Sequence, residues 1–257
     1  MMVYSVSTWN YSALLRDGLP FERMLDEIAQ HELGIELWLA TTTQEQRGVF
    51  KERYTDTFAH LSCHTAMANV FDGSTLKKEI DFCSAIGATT LVVHPISLGI
   101  DSHTFSYAYG TKIDAAQLKT IDGFLSHARR ASVVLALENG PRDVLDQVAD
   151  HVGAPYPATP LGICVDTGHA AIHHTQNPHY LVDLIDRFHS WIVQLHIHDN
   201  TGASDDHMVP GTASIAWQEV STALGDLKER VPWVFELKSG SEPIKDIQES
   251  IRFVSTL

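Results

Sequence analysis

Short β-branched runs recur from one end of this chain to the other, and six of them stop on a side chain that can bind a metal. FAHLSCH, TTLVVH, VVLALE, LGICVD, WIVQLH and WVFE close on His64, His94, Glu138, Asp166, His196 and Glu236. Apolar runs of this length, bounded by polar residues, carry the signature of buried strands. Strands are expected at 3–9, 34–39, 58–64, 89–94, 133–138, 161–166, 191–198 and 231–237. Amphipathic stretches at 21–31, 74–86, 113–131, 177–188 and 246–254 show the period of helices, with a Ser74 cap opening the second. Alternating strands and helices build a parallel sheet under a helical cover. Eight strands in 257 residues predict a single (β/α)8 TIM barrel, one domain over 1–257. An open doubly wound sheet would gather ligands at one crevice; here ligand-type residues close most of the strands.

The charge balance narrows the partners. Lys plus Arg number 18 against 32 Asp plus Glu, a net charge of −14 at pH 7, and the cations are scattered. A phosphate-backbone binder needs a basic stripe, so nucleic acid is not the expected partner. No apolar run reaches bilayer length, and the N-terminus carries no basic segment followed by a long apolar one. A cytoplasmic protein without a membrane segment is expected, and an oligomer is compatible with the sequence. Cys63, Cys83 and Cys164 form no paired motif and read as small core residues of a reducing compartment. Strand alternation is expected to turn Cys63 and Cys164 away from the neighbouring ligand-type residues.

Fifteen histidines suit a metal site. In 191–198, Val193, Leu195 and Ile197 alternate with Gln194, His196 and His198. The apolar set should face the helices and the polar set the barrel interior, where a metal satisfies it. His198 is either a ligand or a partner that orients one. Asp166-Thr-Gly-His169 can aim two side chains into one pocket from a strand-to-helix turn, and Asp205-Asp-His207 can do so from a loop. A lone histidine at a strand end is more often a hydrogen-bonded core residue; nine ligand-type residues on one rim form a site. The candidate ligands are His64, His94, Glu138, Asp166, His169, His196, Asp205, His207 and Glu236. Without thiolates this set suits Zn2+, as two or three ions, with Mn2+ or Fe2+ as alternatives. Asp199 reads as a cap. Loops 98–112, with His103, Phe105, Tyr107 and Tyr109, and 200–214 are either lids or rim packing. His31, His60, His127, His151, His173, His174, His179 and His189 read as surface or packing residues.

The strings SCHTAMANVF, VVHPIS, LALEN, CVDTGHA, QLHIHDN, DDHMVPGTASIAW and FELK resemble the xylose-isomerase-like barrel superfamily, which contains endonuclease IV and many sugar and sugar-phosphate isomerases or epimerases. The resemblance covers nearly the whole chain. By analogy with the trinuclear zinc site of endonuclease IV, it implies one ion on His64, His94 and Glu138. A second would sit on bridging Glu138 with Asp166, His196 and Glu236, and a third on His169, Asp205 and His207. Isomerases of the group need only Glu138, Asp166, His196 and Glu236. The chain departs from the nuclease at Ala213, where a second Gly stands, at Met67, where a DNA-contacting aromatic stands, and in lacking basic recognition loops.

Three activities follow from these residues. The first is hydrolysis of a small phosphoester by metal-activated water, with Glu138, Glu236 and His169 as catalytic side chains. Lys238, His198 and Trp9 would bind substrate, with Lys238 or Lys112 meeting phosphate. The second is sugar or sugar-phosphate isomerisation or epimerisation, Glu138 and Glu236 exchanging a proton next to a carbonyl. The third is cleavage at abasic DNA sites. The full nine-residue set ranks hydrolysis first; the acidic balance and PGTASIAW lean towards isomerisation.

Overall fold

The computed structural model describes residues 2–102, 110–172 and 177–257. Eight parallel strands close into a barrel in chain order: β1 Tyr4–Ser7, β2 Gly34–Trp38, β3 Leu61–His64, β4 Thr90–Val93, β5 Val134–Glu138, β6 Leu161–Asp166, β7 Ile192–Ile197 and β8 Trp233–Phe235. The helices are α1 Ser12–Arg16, α2 Phe21–Gln30, α3 Gln44–Arg53, α4 Gly73–Ala85, α5 Ala115–Ala131 and α6 Arg142–Val152, followed by α7 Thr167–Ala171, α8 Tyr180–Phe188, α9 Trp217–Leu224, α10 Leu227–Arg230 and α11 Pro243–Val254. The expected (β/α)8 TIM barrel is the observed fold. Among the described residues, no helix is long and apolar enough to cross a membrane.

The main core lies between strands and helices. Leu37, Leu91, Leu135 and Leu195 of the strands share one apolar cluster with helix residues such as Met24 and Ile28 of α2 and Ile121 and Ala128 of α5. Full burial contributes about 1.5–3 kcal/mol for each large aliphatic side chain. A small inner cluster, Val92, Ala136 and Cys164 with Val193 packed on it, fills the barrel below its mouth.

Two expectations about facing are corrected here. Cys164 precedes Asp166 by two residues, so the two share the inner face, and the thiol sits against His196. Val193 joins the inner cluster because the β6–β7 register shifts: Ile163 pairs with Ile192 and Cys164 with Gln194, leaving Val193 unpaired. Such a bulge re-aims a side chain that strict alternation would place outside. The cap of α4 is Asp72, not Ser74; its Oδ1 accepts from the Ser74 and Thr75 backbone N–H groups at 2.9 and 3.3 Å.

Candidate metal centre

Parallel strands bring all their C-terminal ends to one rim. His64, Glu138 and Asp166 are the last residues of β3, β5 and β6, His196 is the penultimate residue of β7, and His94 and Glu236 directly follow β4 and β8. His169 reaches the rim from α7. Asp166 caps that helix, its Oδ1 accepting from the His169 backbone N–H at 2.7 Å. Asn139 fixes Asp166 in turn: its Oδ1 accepts from the Asp166 N–H at 2.5 Å, and its Nδ2 donates to the Asp166 carbonyl at 3.2 Å. A Cβ on Gly168 would collide with the His198 ring, so the Gly of DTGHA makes room for an imidazole.

Asp205 and His207 arrive from the loop after β7. Asp199, fully buried at its base, accepts five hydrogen bonds from that loop and α9: from the N–H of Asn200, Gly211, Ala213 and Ile215 and from the Trp217 indole, at 2.9–3.2 Å. This loop is a fastened rim and not a lid. His207 has φ of 49°, a left-handed conformation uncommon outside glycine that clusters at functional sites. Its Nδ1–H donates to the Glu236 carbonyl at 2.7 Å, and its Nε2 lies 2.7 Å from Asp205 Oδ2.

The side chains converge. Glu138 Oε2 stands 3.2 Å from Nε2 of both His64 and His94, and Oε1 lies 2.7 Å from His169 Nδ1. His196 Nδ1 faces Glu138 Oε2 at 3.6 Å, Asp166 Oδ2 at 3.8 Å and Glu236 Oε2 at 3.6 Å. The far nitrogens of the rings are tied outside the pocket. His64 Nδ1–H donates to the Thr65 carbonyl at 3.0 Å, and His196 Nε2–H to Glu36 Oε2 at 3.2 Å. With His207, three rings thus hold one nitrogen away and present the other to the centre. That is how proteins fix the tautomer of a ligating imidazole.

Electrostatics follow from this crowding. Burial pushes the Glu138 and Asp166 carboxyls up, but the imidazoles, His94 and His169 at Glu138 and His169 and His198 at Asp166, bring both below the ordinary carboxylate range. Burial opposes charge on His169 and His196 as well. Asp166 and Glu138 around His169, and Cys164, Glu236 and Glu36 around His196, raise both well above the usual imidazole value. Burial holds the Cys164 thiol up at about 12.

The residues fit a divalent cation. His196 Nδ1 and Asp205 Oδ1 are buried without a hydrogen-bond partner. The 3.6–3.8 Å separations around His196 are too long for hydrogen bonds. Taken pair by pair, each is near the roughly 3.4 Å expected between two donors about 2.1 Å from one tetrahedral ion. Four groups have donor atoms close enough to share an ion: His64–His94–Glu138; Glu138–Asp166–His169; Glu36–His196–Glu236; and His169–His198–Asp205–His207.

All nine candidate ligands therefore surround one mouth. Seven of them, all but the fully buried Asp166 and His196, line a cavity of about 150 Å3 together with Trp9, Trp38, Ala68 and Asn69. Trp9 lines it, its ring 4.2 Å from that of His207. His198 lies beneath, its Nε2 2.9 Å from Asp166 Oδ1 and its ring stacked on His207 at 3.9 Å. Lys238 and Lys112 are exposed and do not line the cavity. The Lys238 backbone N–H donates to the His207 carbonyl, and the residue is exposed past the strand end. His103, Phe105, Tyr107, Tyr109, His173 and His174 lie outside the described residues.

Sequence reading passed over Glu36 and Trp38. Glu36 is fully buried inside β2, where Oε2 accepts from Gln194 Nε2 at 2.6 Å and Ser62 Oγ at 3.3 Å besides His196. A carboxylate inside the run GIELW was the signal: it alternates with Ile35 and Leu37 and so faces inward.

Fold and site together define a (β/α)8 protein with a carboxylate–imidazole centre at its C-terminal mouth. The chain belongs to the xylose isomerase-like TIM barrel family, whose pattern matches residues 73–257. The uncharacterized protein y4fM of Sinorhizobium fredii (strain NBRC 101917 / NGR234) is 26% identical over 166 residues, 63% of this chain and 51% of that protein. The chain thus spans about half the length of the curated relative it matches. Among solved structures, a D-tagatose 3-epimerase-like protein superposes with a TM-score of 0.73 at 18% identity, covering 99% of both chains. D-allulose 3-epimerase from Methylomonas sp. gives 0.73 at 13% identity, covering 99% of this chain and 97% of that one. A Thermus thermophilus protein soaked with ZnCl2 gives 0.69 at 20%, covering 99% and 97%. At these identities the likeness shows the fold.

Proposed function

We propose that this protein is a metal-dependent isomerase or epimerase of a small sugar, exchanging a proton on the carbon next to a carbonyl. This reverses the order suggested by the sequence, which ranks phosphoester hydrolysis first; the similar structures bear epimerase names and lend hydrolysis no support. The observation that carries the reading is the quartet at the centre: His196 Nδ1 facing the carboxylates of Glu138, Asp166 and Glu236 at 3.6–3.8 Å. A divalent ion held by these four residues would polarise the substrate carbonyl and stabilise the oxyanion that develops on deprotonation.

Glu138 and Glu236 stand on β5 and just past β8, three strands apart around the mouth, so they approach a bound substrate from different sides. One carboxylate removes the proton and the other returns it. His169 holds Glu138 Oε1 at 2.7 Å, keeping that carboxylate ionised and oriented. His198 and Asn139 fix Asp166. The 150 Å3 cavity falls below the ~300–1,000 Å3 typical of drug-sized ligand sites. It suits a small molecule, and with the net charge of −14 it argues against a DNA strand.

The test is solvent exchange. Protein loaded separately with Mn2+, Zn2+ and Fe2+ is incubated in D2O with a panel of ketoses, aldoses and their phosphates, and deuterium on the carbon next to the carbonyl is followed by NMR. Exchange should occur with at least one sugar and fall by about 10²–10⁴-fold in Glu138→Gln and Glu236→Gln. Turnover of phosphoesters with no exchange on any sugar would restore the hydrolase reading.

A further inference from the structure

We propose that Asn10 is a positioning residue for Glu236, aiming that carboxylate at the quartet by clamping the backbone on both sides of it. This rests on the metal quartet of the isomerase or epimerase reading and names the group that holds its third carboxylate. The other two are held through their side chains. Glu138 meets His64, His94 and His169 at 2.7–3.2 Å, and Asp166 meets His198 at 2.9 Å. Among the described residues, the Glu236 carboxylate accepts no hydrogen bond, and its one ion-pair neighbour is His196 Nδ1 at 3.6 Å. Its aim therefore depends on its backbone.

The barrel leaves that backbone short of partners. The β1–β8 ladder stops at the Val6–Phe235 pair, β8 ends at Phe235, and after Ser7 the chain leaves β1 for the 3-10 turn Thr8–Tyr11. On the β7 side the Glu236 N–H still reaches the Ile197 carbonyl at 3.3 Å. On the β1 side the buried Asn10 amide stands in for the missing strand. Its Nδ2 donates to the Phe235 carbonyl at 3.1 Å, and its Oδ1 accepts from the Leu237 N–H at 2.7 Å. A carboxamide carries the donor and acceptor of a peptide unit, so it can continue a ladder that the backbone has left. Asn139 makes a like pair of bonds to the N–H and carbonyl of Asp166. With the His207 Nδ1–H on the Glu236 carbonyl at 2.7 Å, residues 235–237 are held at three successive positions. Thr8 of the same turn serves β2 instead, its Oγ1 accepting from the Trp38 N–H at 2.8 Å.

The experiment titrates Mn2+ into chelator-stripped, full-length protein at pH 7, with circular dichroism to establish folding. Asn10→Ala removes both bonds; Asn10→Asp keeps the shape and the Leu237 bond but sets an acceptor against the Phe235 carbonyl. Each should weaken Mn2+ binding by about tenfold. In a Glu236→Gln background the same substitutions should change affinity by less than about twofold, because the carboxylate they aim is already gone. Thr8→Val, which loosens the same turn on its β2 side, should leave Mn2+ affinity unchanged. Equal losses in both backgrounds, or equal losses for Asn10→Ala and Thr8→Val, mean a merely structural role and overturn the inference. A folded Asn10→Ala protein with the parent's affinity does the same. Deuterium exchange on sugars reads the other question: a parent that exchanges none while showing this Mn2+ pattern loses the isomerase reading and keeps the clamp. A parent that binds no divalent ion loses both.

Discussion

Replacing Glu36 by Gln tests the site at its least visible point. Glu36 Oε2 collects three contacts: Gln194 Nε2 at 2.6 Å, His196 Nε2 at 3.2 Å and Ser62 Oγ at 3.3 Å. Oε1 is buried without a hydrogen-bond partner. A Gln at 36 keeps the volume, but its NH2 must go somewhere. Placed at Oε1 it leaves buried donors unmatched, which costs about 1–3 kcal/mol. Placed at Oε2 it confronts the Gln194 amide and repels the His196 N–H. Either way the acceptor that holds the proton on Nε2 is weakened from a charged group to a neutral one, roughly half as strong, or lost. The ring then loses its bias towards presenting a bare Nδ1 to Glu138, Asp166 and Glu236. Removing such a partner ordinarily costs about 10–100-fold in metal affinity, or roughly 1.4–2.8 kcal/mol. The assay is titration of Zn2+ and Mn2+ into chelator-stripped protein at pH 7, with circular dichroism to establish that the variant is folded. A folded Glu36→Gln protein with the parent's metal affinity refutes the claim that Glu36 sets the tautomer of His196.

Two further outcomes are expected. Asp199→Ala leaves five N–H donors without their acceptor. It should lower stability by about 3–4 kcal/mol, a fall of roughly 6–16 °C in melting temperature, read by calorimetry; an unchanged melting temperature rejects the fastened-rim description. Metal loading at pH 7 should release protons, because His169 and His196 are raised above the ordinary 6.5 and hold protons that a cation must displace. Raised imidazoles stabilise the metal-free fold fully below pH 6.5 and lose that contribution as pH climbs through their folded values. Lowered Glu138 and Asp166 contribute above their ordinary 4.5 and 3.8 and lose it as pH falls. Metal-free protein should therefore be most stable between these limits, while metal affinity rises with pH. Binding heats in buffers of different ionisation enthalpy count the protons, and a count of zero contradicts the charge assignment.

The barrel was legible because a strand with one face to helices and one to a filled interior leaves a period-two trace, and eight such traces recur. The rim residues were legible for the same reason. Helix α3 was not expected: QEQRGVFKER buries only Phe50, and its one signal was the Thr43–Gln46 capping box. Helix α6, with Val144, Leu145, Val148 and Ala149 buried, carried a readable stripe that went unused. The Val193 bulge left no trace in sequence, since it depends on which residue of β6 each residue of β7 meets. Glu36 escaped notice because attention to strand ends overlooks the layer beneath them.

That lower layer explains why the interior is not uniformly apolar. Two residues below the rim, β4, β5 and β6 supply Val92, Ala136 and Cys164, a compact filler. On β2, β3 and β7 the same level holds Glu36, Ser62 and Gln194, joined by hydrogen bonds. Burying a carboxylate is expensive, and an apolar replacement of equal volume is often at least as stable. The polar half therefore owes its place to something other than stability. It lies directly under His196, the imidazole that faces three carboxylates at once. An apolar floor would leave that ring free to present either nitrogen, and the quartet would lose its neutral donor. The side of the barrel that carries Glu138 needs no such floor, because His64, His94 and His169 already hold that carboxylate from the rim. Where the rim orients its own groups the interior is packed with small apolar residues; where it cannot, the interior does the orienting.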